Sequence, residues 1–116
     1  MKRNLDLIRD ILFALEESDD WQFIETCDGD EADDEDARAY HRRLMMDQGL
    51  LTRQGKYGYR MTSAGHDYLD AIRDDGIWKK TKNGAAKVGG MTIGLVRDLA
   101  IAYVKQEANE KLGIKI

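Results

Sequence analysis

The sequence predicts an α+β fold, mostly helical, and three observations carry that expectation. Apolar residues return at helical spacing near both ends of the chain, a two-stranded hairpin pattern occupies the middle, and no proline interrupts the 116 residues. With 42% apolar and 34% charged residues, the composition is that of an ordinary globular chain of one domain's length. Disorder throughout and a two-domain enzyme are both excluded on these grounds. No apolar run reaches the roughly 18 residues of a membrane span. Met1-Lys2-Arg3 is basic, but Asp6 follows too soon for a secretory signal. A single cysteine, Cys27, forms no internal disulfide and fits a reducing cytoplasm, where we place the protein.

The elements follow in order. Asn4 or Asp6 caps a first helix with Leu5, Ile8, Leu12 and Leu15 on one face, widened by Ile11 and Phe13 and ending near Ser18. Trp21 to Cys27 reads as an extended segment or short strand. The acidic run 28–36 cannot pack, and is read as a loop ending as a helix N-terminus, where carboxylates meet the positive end of the helix dipole. From about Asp34 to Gln48 a second helix is predicted, with Ala37, Tyr40, Leu44 and Met45 on its buried side and Gly49 as its stop. Leu50–Arg53 and Tyr57–Met61 form a hairpin around Gln54-Gly55-Lys56. Thr62 caps a helix from Ser63 to about Asp75, with Tyr68, Leu69 and Ile72 apolar and Gly76 at its end. Ile77 and Trp78 begin a short amphipathic turn running into Lys79–Lys82, and Asn83-Gly84 with Gly89-Gly90 reads as a flexible connection. Thr92 caps the longest helix, striped by Ile93, Val96, Leu99, Ala100, Tyr103 and Val104 and stopped by Gly113.

The net charge of −4 argues against nucleic acid until it is divided along the chain. The first 36 residues carry −11 and the remaining 80 carry +7. Of that excess, +5 lies in residues 37–61, where Arg38, Arg42, Arg43, Arg53, Lys56 and Arg60 face Asp47 alone. The chain is thus an acidic N-terminal part joined to a compact basic segment.

A helix ending in a Gly-Leu-Leu turn, then a hairpin, then Met-Thr-Ser-Ala-Gly opening a helix, is similar to the winged-helix domains of bacterial transcription regulators. The pieces are Leu44 to Leu51 and Met61 to Gly65. A closer resemblance covers nearly the whole chain. Met1-Lys2-Arg3, Asp6 to Arg9, Tyr40-His41, Gly49-Leu50 and the run Gly65 to Asp75 with Trp78, Lys80, Thr81 and Lys82 resemble an uncharacterised family of small winged-helix-like proteins of phage and prophage genomes. The resemblance implies a winged-helix-like core over 1–76, with 77–116 a helical extension packed on the same domain or on a dimer partner. It assigns no biochemical activity. The acidic run is heavier than the family pattern, and the sequence shows no further helix to complete a helix-turn-helix.

Two functional expectations follow. The first is DNA binding in a regulatory role through Arg38, His41, Arg42, Arg43, Arg53, Lys56 and Arg60, since arginine both neutralises phosphate and reads guanine. The alternative is an interaction module or inhibitor of a nucleic-acid-binding host protein, with Asp28, Asp30, Glu31, Asp33, Asp34, Glu35 and Asp36 as its contact. The same run begins like a calcium loop at Asp28 and Asp30. Ala32, Asp33 and Ala39 then stand where that loop needs a ligand, a glycine and a bidentate glutamate. Cys27, His41 and His66 lack the paired spacing of a zinc site, so no metal or cofactor is expected. His66 is read as making a structural hydrogen bond. Asp67, Asp70, Asp74 and Asp75 with Arg73 are read as ion pairs on a helix surface, not as acid–base catalysts, and no enzyme activity is expected. Trp78 with Tyr68 and Ile72 is core, and the 92–112 helix either pairs with a second copy or packs on the first helix.

Overall fold

Asn4 begins the fold as a cap. Its backbone is extended, and its side-chain oxygen accepts from the amides of Asp6 (3.0 Å) and Leu7 (3.2 Å), so that Asp6 falls in the first turn near the positive end of the dipole. Helix α1 (Leu5–Glu17) follows, with Leu5, Ile8, Ile11 and Leu12 buried. The computed structural model describes residues 1–25 and 32–113, the first three of the second helix by backbone alone. After α1 come strand β1 (Phe23–Ile24), helix α2 (Ala32–Asp47), strands β2 (Leu51–Gln54) and β3 (Gly58–Met61), and helices α3 (Ser63–Ile72), α4 (Asp75–Lys87) and α5 (Ile93–Leu112). The α+β, mostly helical class is therefore what the chain adopts. None of its described helices is long and apolar enough to cross a membrane.

The chain divides into two compact units, Met1–Leu69 and Asp70–Ile116. In the first, the strands form an antiparallel sheet in the order β1-β3-β2. Phe23 pairs with Tyr59, and Tyr59 with Arg53, while Leu51 pairs with Met61. Residues directly opposite share a face, so Phe23, Tyr59 and Arg53 form a row across the sheet. Phe23 and Tyr59 touch ring to ring, with centroids 5.6 Å apart. Ile8, Leu12, Met45, Leu51, Tyr68 and Leu69 are the fully buried large apolar side chains of this unit.

The α2 stop expected at Gly49 has a specific geometry. Gly49 has a φ of +75°, its amide donates to Met46 (3.1 Å), and Leu50 donates back to Met45 (2.8 Å). That pair of bonds satisfies the last carbonyls of the helix and turns the chain into β2. The buried face of α2 differs from the expected one. Met45 is buried as predicted, but Tyr40 is 39% exposed, and His41 and Arg42 take the inward positions beside Met45. Two polar residues lie inward because each finds partners there, which a stripe drawn through apolar residues alone does not anticipate.

In the second unit the sequence expectation is corrected more substantially. Helix α3 ends at Ile72, and Asp74 caps a new helix by accepting from the Ile77 amide at 2.9 Å. Asp74 is thus a cap, and Gly76 lies in the first turn of α4. That helix continues through Lys79–Lys82 and through Asn83-Gly84, which the sequence marks as a connection. Ile77, Trp78, Thr81 and Ala85 are its buried residues, and Thr81 donates to the Ile77 carbonyl at 2.7 Å. A β-carbon on Gly84 would lie 2.8 Å from the Tyr103 hydroxyl, so glycine serves the close approach of α4 and α5. Helix α5 is capped by Thr92, buries Ile93, Val96 and Ala100, and ends at Gly113 in the left-handed region, as predicted. Its partner within the unit is α4.

Candidate nucleic-acid interface

The sheet's twofold side-chain alternation sorts the basic residues of the hairpin. Arg53 shares the face of Tyr59 and Phe23, and Glu25, two residues past Phe23, is carried to the same face as its amide donates to the Tyr57 carbonyl at 2.8 Å. Arg43 reaches this point from α2. Its Nη1 donates to both carboxylate oxygens of Glu25, at 2.7 and 3.0 Å, and Arg53 Nη1 lies 3.2 Å from Oε1 of the same group. The Arg43 and Arg53 side chains are 50% and 40% exposed, whereas that of Glu25 is only 13% exposed. One largely buried carboxylate therefore joins α2 to the hairpin.

The electrostatics of Glu25 follow from these contacts. Burial pushes its carboxyl up, but the Arg43 hydrogen bond and the charges of Arg43, Arg53 and Arg42 outweigh burial and hold it below the usual glutamate range. Arg43 is raised in turn, chiefly by that hydrogen bond. A depressed carboxylate stabilises the fold above its unfolded value, near 4.5, and loses that contribution as pH falls through the lowered folded value. We expect the stability difference between the parent chain and Glu25→Gln to be constant from neutral pH down to about 5. It should then shrink at more acid pH, as followed by urea unfolding at a series of pH values. With both arginines partly exposed, the difference at neutral pH should be about 1 kcal/mol.

Arg42 lies deeper. It pairs with Glu35 at 2.5 Å, its guanidinium carbon stands 5.7 Å from the Tyr59 ring centroid, and its side chain is 9% exposed. Its Nε is buried and has no hydrogen-bond partner among the described residues. Burial pushes the Tyr59 phenol up against the opposing charge of Arg42, and Arg38 is near enough to act in the same sense as Arg42.

The remaining expected contacts separate into three groups. Arg38 is half-buried on α2, and Lys56 is exposed at the hairpin turn with its ammonium 5.4 Å from the Tyr57 ring centroid. His41 is corrected from a surface contact to a structural residue. It is 2% exposed, its Nε2 accepts from the Asn4 amide at 2.8 Å, and its Nδ1 faces the Ala37 carbonyl at 2.6 Å. These bonds require the proton on Nδ1, and they tie the start of α1 to α2. Arg42 is likewise too buried to contact a ligand directly. Arg60 alternates to the sheet face opposite Arg53, and with Leu15, Asp19, Trp21, Phe23, Met61 and His66 it lines a depression of about 390 Å³.

Of the acidic run, Asp28, Asp30 and Glu31 lie outside the described residues, as does Cys27, and Asp33 and Asp34 are placed in α2 by backbone alone. Glu35 is engaged by Arg42, and Asp36 is exposed. Among the described residues no group of three or more His, Cys, Asp or Glu is arranged to hold a metal ion. His66 is exposed, and its side chain makes no hydrogen bond to a described residue, unlike the structural role expected of it. In the aspartate set, Asp70 pairs with Arg73 at 2.8 Å, as an i,i+3 surface pair should.

Sequence reasoning missed Glu25, the residue on which Arg43 and Arg53 converge. It stands 18 residues from Arg43, and the two meet only because α2 packs against the sheet whose strand pairing carries Glu25. The available signal was its alternation with Phe23 in an extended segment.

Comparison with known proteins agrees with the family character of the chain. No solved structure matches it. A protein of Haemophilus influenzae described as "Uncharacterized protein" is 30% identical over 115 residues, spanning 91% of this chain and 98% of that one. Residues 2–92 match the model of a family described as "Hypothetical protein (DUF2513)". A match across most of the length, with Arg38, Arg43, Arg53 and Glu25 all inside it, means that this chain belongs to the DUF2513 family.

Proposed function

We propose that the protein binds duplex DNA in a regulatory role, through a winged-helix-like first unit that presents Arg43 and Arg38 on α2 and Arg53 and Lys56 on the hairpin. The observation that carries this reading is the convergence of Arg43 and Arg53, which makes the helix and the hairpin one basic surface instead of two. The sheet order β1-β3-β2, with a helix before the hairpin and another after it, supports the winged-helix likeness. In that arrangement the helix before the hairpin approaches the groove and the hairpin lies along the backbone. Arg60, on the other face of the sheet, is left out of the contact set, and His41 and Arg42 act by holding α2 in place.

Four phosphate-contacting cations predict a steep dependence on salt, because each contact releases condensed counterions. Titration of random-sequence duplex with the whole chain, followed by fluorescence anisotropy, should show affinity falling about a hundredfold between 50 and 200 mM salt, for a slope near −0.9 per contact. Absence of binding at 50 mM salt, or binding indifferent to salt, overturns the reading. Ile101 and Val104 on α5 are 39% and 41% exposed, and they support the accompanying reading of a homodimer through that helix. Sedimentation equilibrium reads that property independently of DNA.

A further inference from the structure

Arg43 from α2 and Arg53 from β2 converge on the Glu25 carboxylate, and Arg42 adds a third guanidinium behind them. Glu35 supplies a second carboxylate, to Arg42. Among the described residues, three guanidiniums thus face two carboxylates. The buried Nε of Arg42, without a partner among the described residues, is a second sign that the cluster has more donors than its own acids satisfy. A guanidinium binds a carboxylate and a phosphate in the same forked manner, through two oxygens in one plane. Glu25 presents both oxygens to Nη1 of Arg43 and one of them to Nη1 of Arg53, so the two guanidiniums already share one anionic group, as they would share a phosphodiester. The carboxylate is also lightly anchored. It follows a strand of two residues and is joined to the hairpin by one backbone hydrogen bond, from Glu25 to Tyr57.

We propose that Arg43 and Arg53, backed by the charge of Arg42, form a phosphate site that Glu25 fills as a built-in competitor, and that a DNA backbone phosphate binds there by displacing the Glu25 carboxylate. The identity of the phosphate rests on the DNA-binding reading, while the site itself does not. Were Glu25 only a brace that positions the two arginines, removing its charge would weaken anion binding. As a competitor, it must strengthen anion binding when its charge is removed. The sign of the effect separates the two roles.

Glu25→Gln keeps the shape of the side chain and removes the charge. The full-length variant and the parent chain are each titrated with inorganic pyrophosphate by calorimetry and with random duplex DNA at several salt concentrations. The variant should bind pyrophosphate about tenfold more tightly than the parent, and it should bind random duplex more tightly than the parent at each salt concentration. Equal or weaker pyrophosphate binding by a folded variant overturns the site. Tighter pyrophosphate binding with no duplex binding by either chain keeps the site and overturns the DNA reading instead. Should Glu25→Gln fail to fold, Glu25→Asp withdraws the same charge by one methylene. It must then bind pyrophosphate more tightly than the parent, and equal or weaker binding overturns the site.

Discussion

Alanine at Gly65 is expected to lower the unfolding free energy by about 3 kcal/mol, at the upper end for an overpacked site. A β-carbon there would stand 2.3 Å from the Leu50 carbonyl oxygen and 2.8 Å from Met61 Cγ. The methionine could turn aside, but the carbonyl cannot, because it accepts the Thr62 amide at 3.0 Å. Thr62 is itself committed on both sides, donating its hydroxyl to the Gly49 carbonyl and accepting the Gly65 amide at 3.0 Å. The first turn of α3 is therefore locked onto the turn that leaves α2, with no room to retreat. Gly94 supplies the control, since a β-carbon there meets nothing within 4 Å and replaces glycine in a helix. Gly94→Ala should raise stability by about 0.5 kcal/mol. Urea unfolding of both variants checks the pair, and a Gly65→Ala protein as stable as its parent would contradict the packing described for α3.

Replacing Arg43 and Arg53 together by alanine is expected to reduce affinity for random duplex DNA roughly thirtyfold at 50 mM salt and to flatten the salt slope by about 1.8, the share of two phosphate contacts. The double change also strands the half-hidden Glu25 carboxylate, so circular dichroism and unfolding measurements must accompany it. Lysine at both positions keeps the charge and loses the planar, multidonor guanidinium. That variant should retain most of the salt slope while binding less tightly. By contrast, Arg60→Ala should leave both slope and affinity unchanged, because its strand face is turned away from Arg53. An effect of Arg60→Ala as large as that of the double variant would move the interface to the opposite face of the sheet.

Local patterns in the chain were enough to place several of its helix starts and stops. Asn4, Thr62 and Thr92 cap helices because a short polar side chain reaches the free amides of a first turn, and Gly49 and Gly113 end helices because their backbones are left-handed. The hairpin was legible for the same reason, with Gly55 at φ +72° in its turn. The α3–α4 boundary was not, because Asp74 reads equally well as a surface ion-pair residue and as a cap. Asn83-Gly84 was misleading, because the pair most often marks a turn and the reason for glycine here, the Tyr103 hydroxyl, lies on another helix.

For the candidate interface, the sequence by itself determined that positive charge is concentrated in residues 37–61 and that a helix and a hairpin carry it. Charge and periodicity are properties of residue type and spacing, and both survive without a fold. Which of those cations act together was decided only by the tertiary structure. Whether a side chain faces the sheet's inner or outer side depends on strand register, and whether a polar residue is buried depends on distant partners such as Asn4 for His41. Register placed Arg53 beside Arg43 and Arg60 away from both, and it brought in Glu25, a residue that lies outside the basic segment altogether.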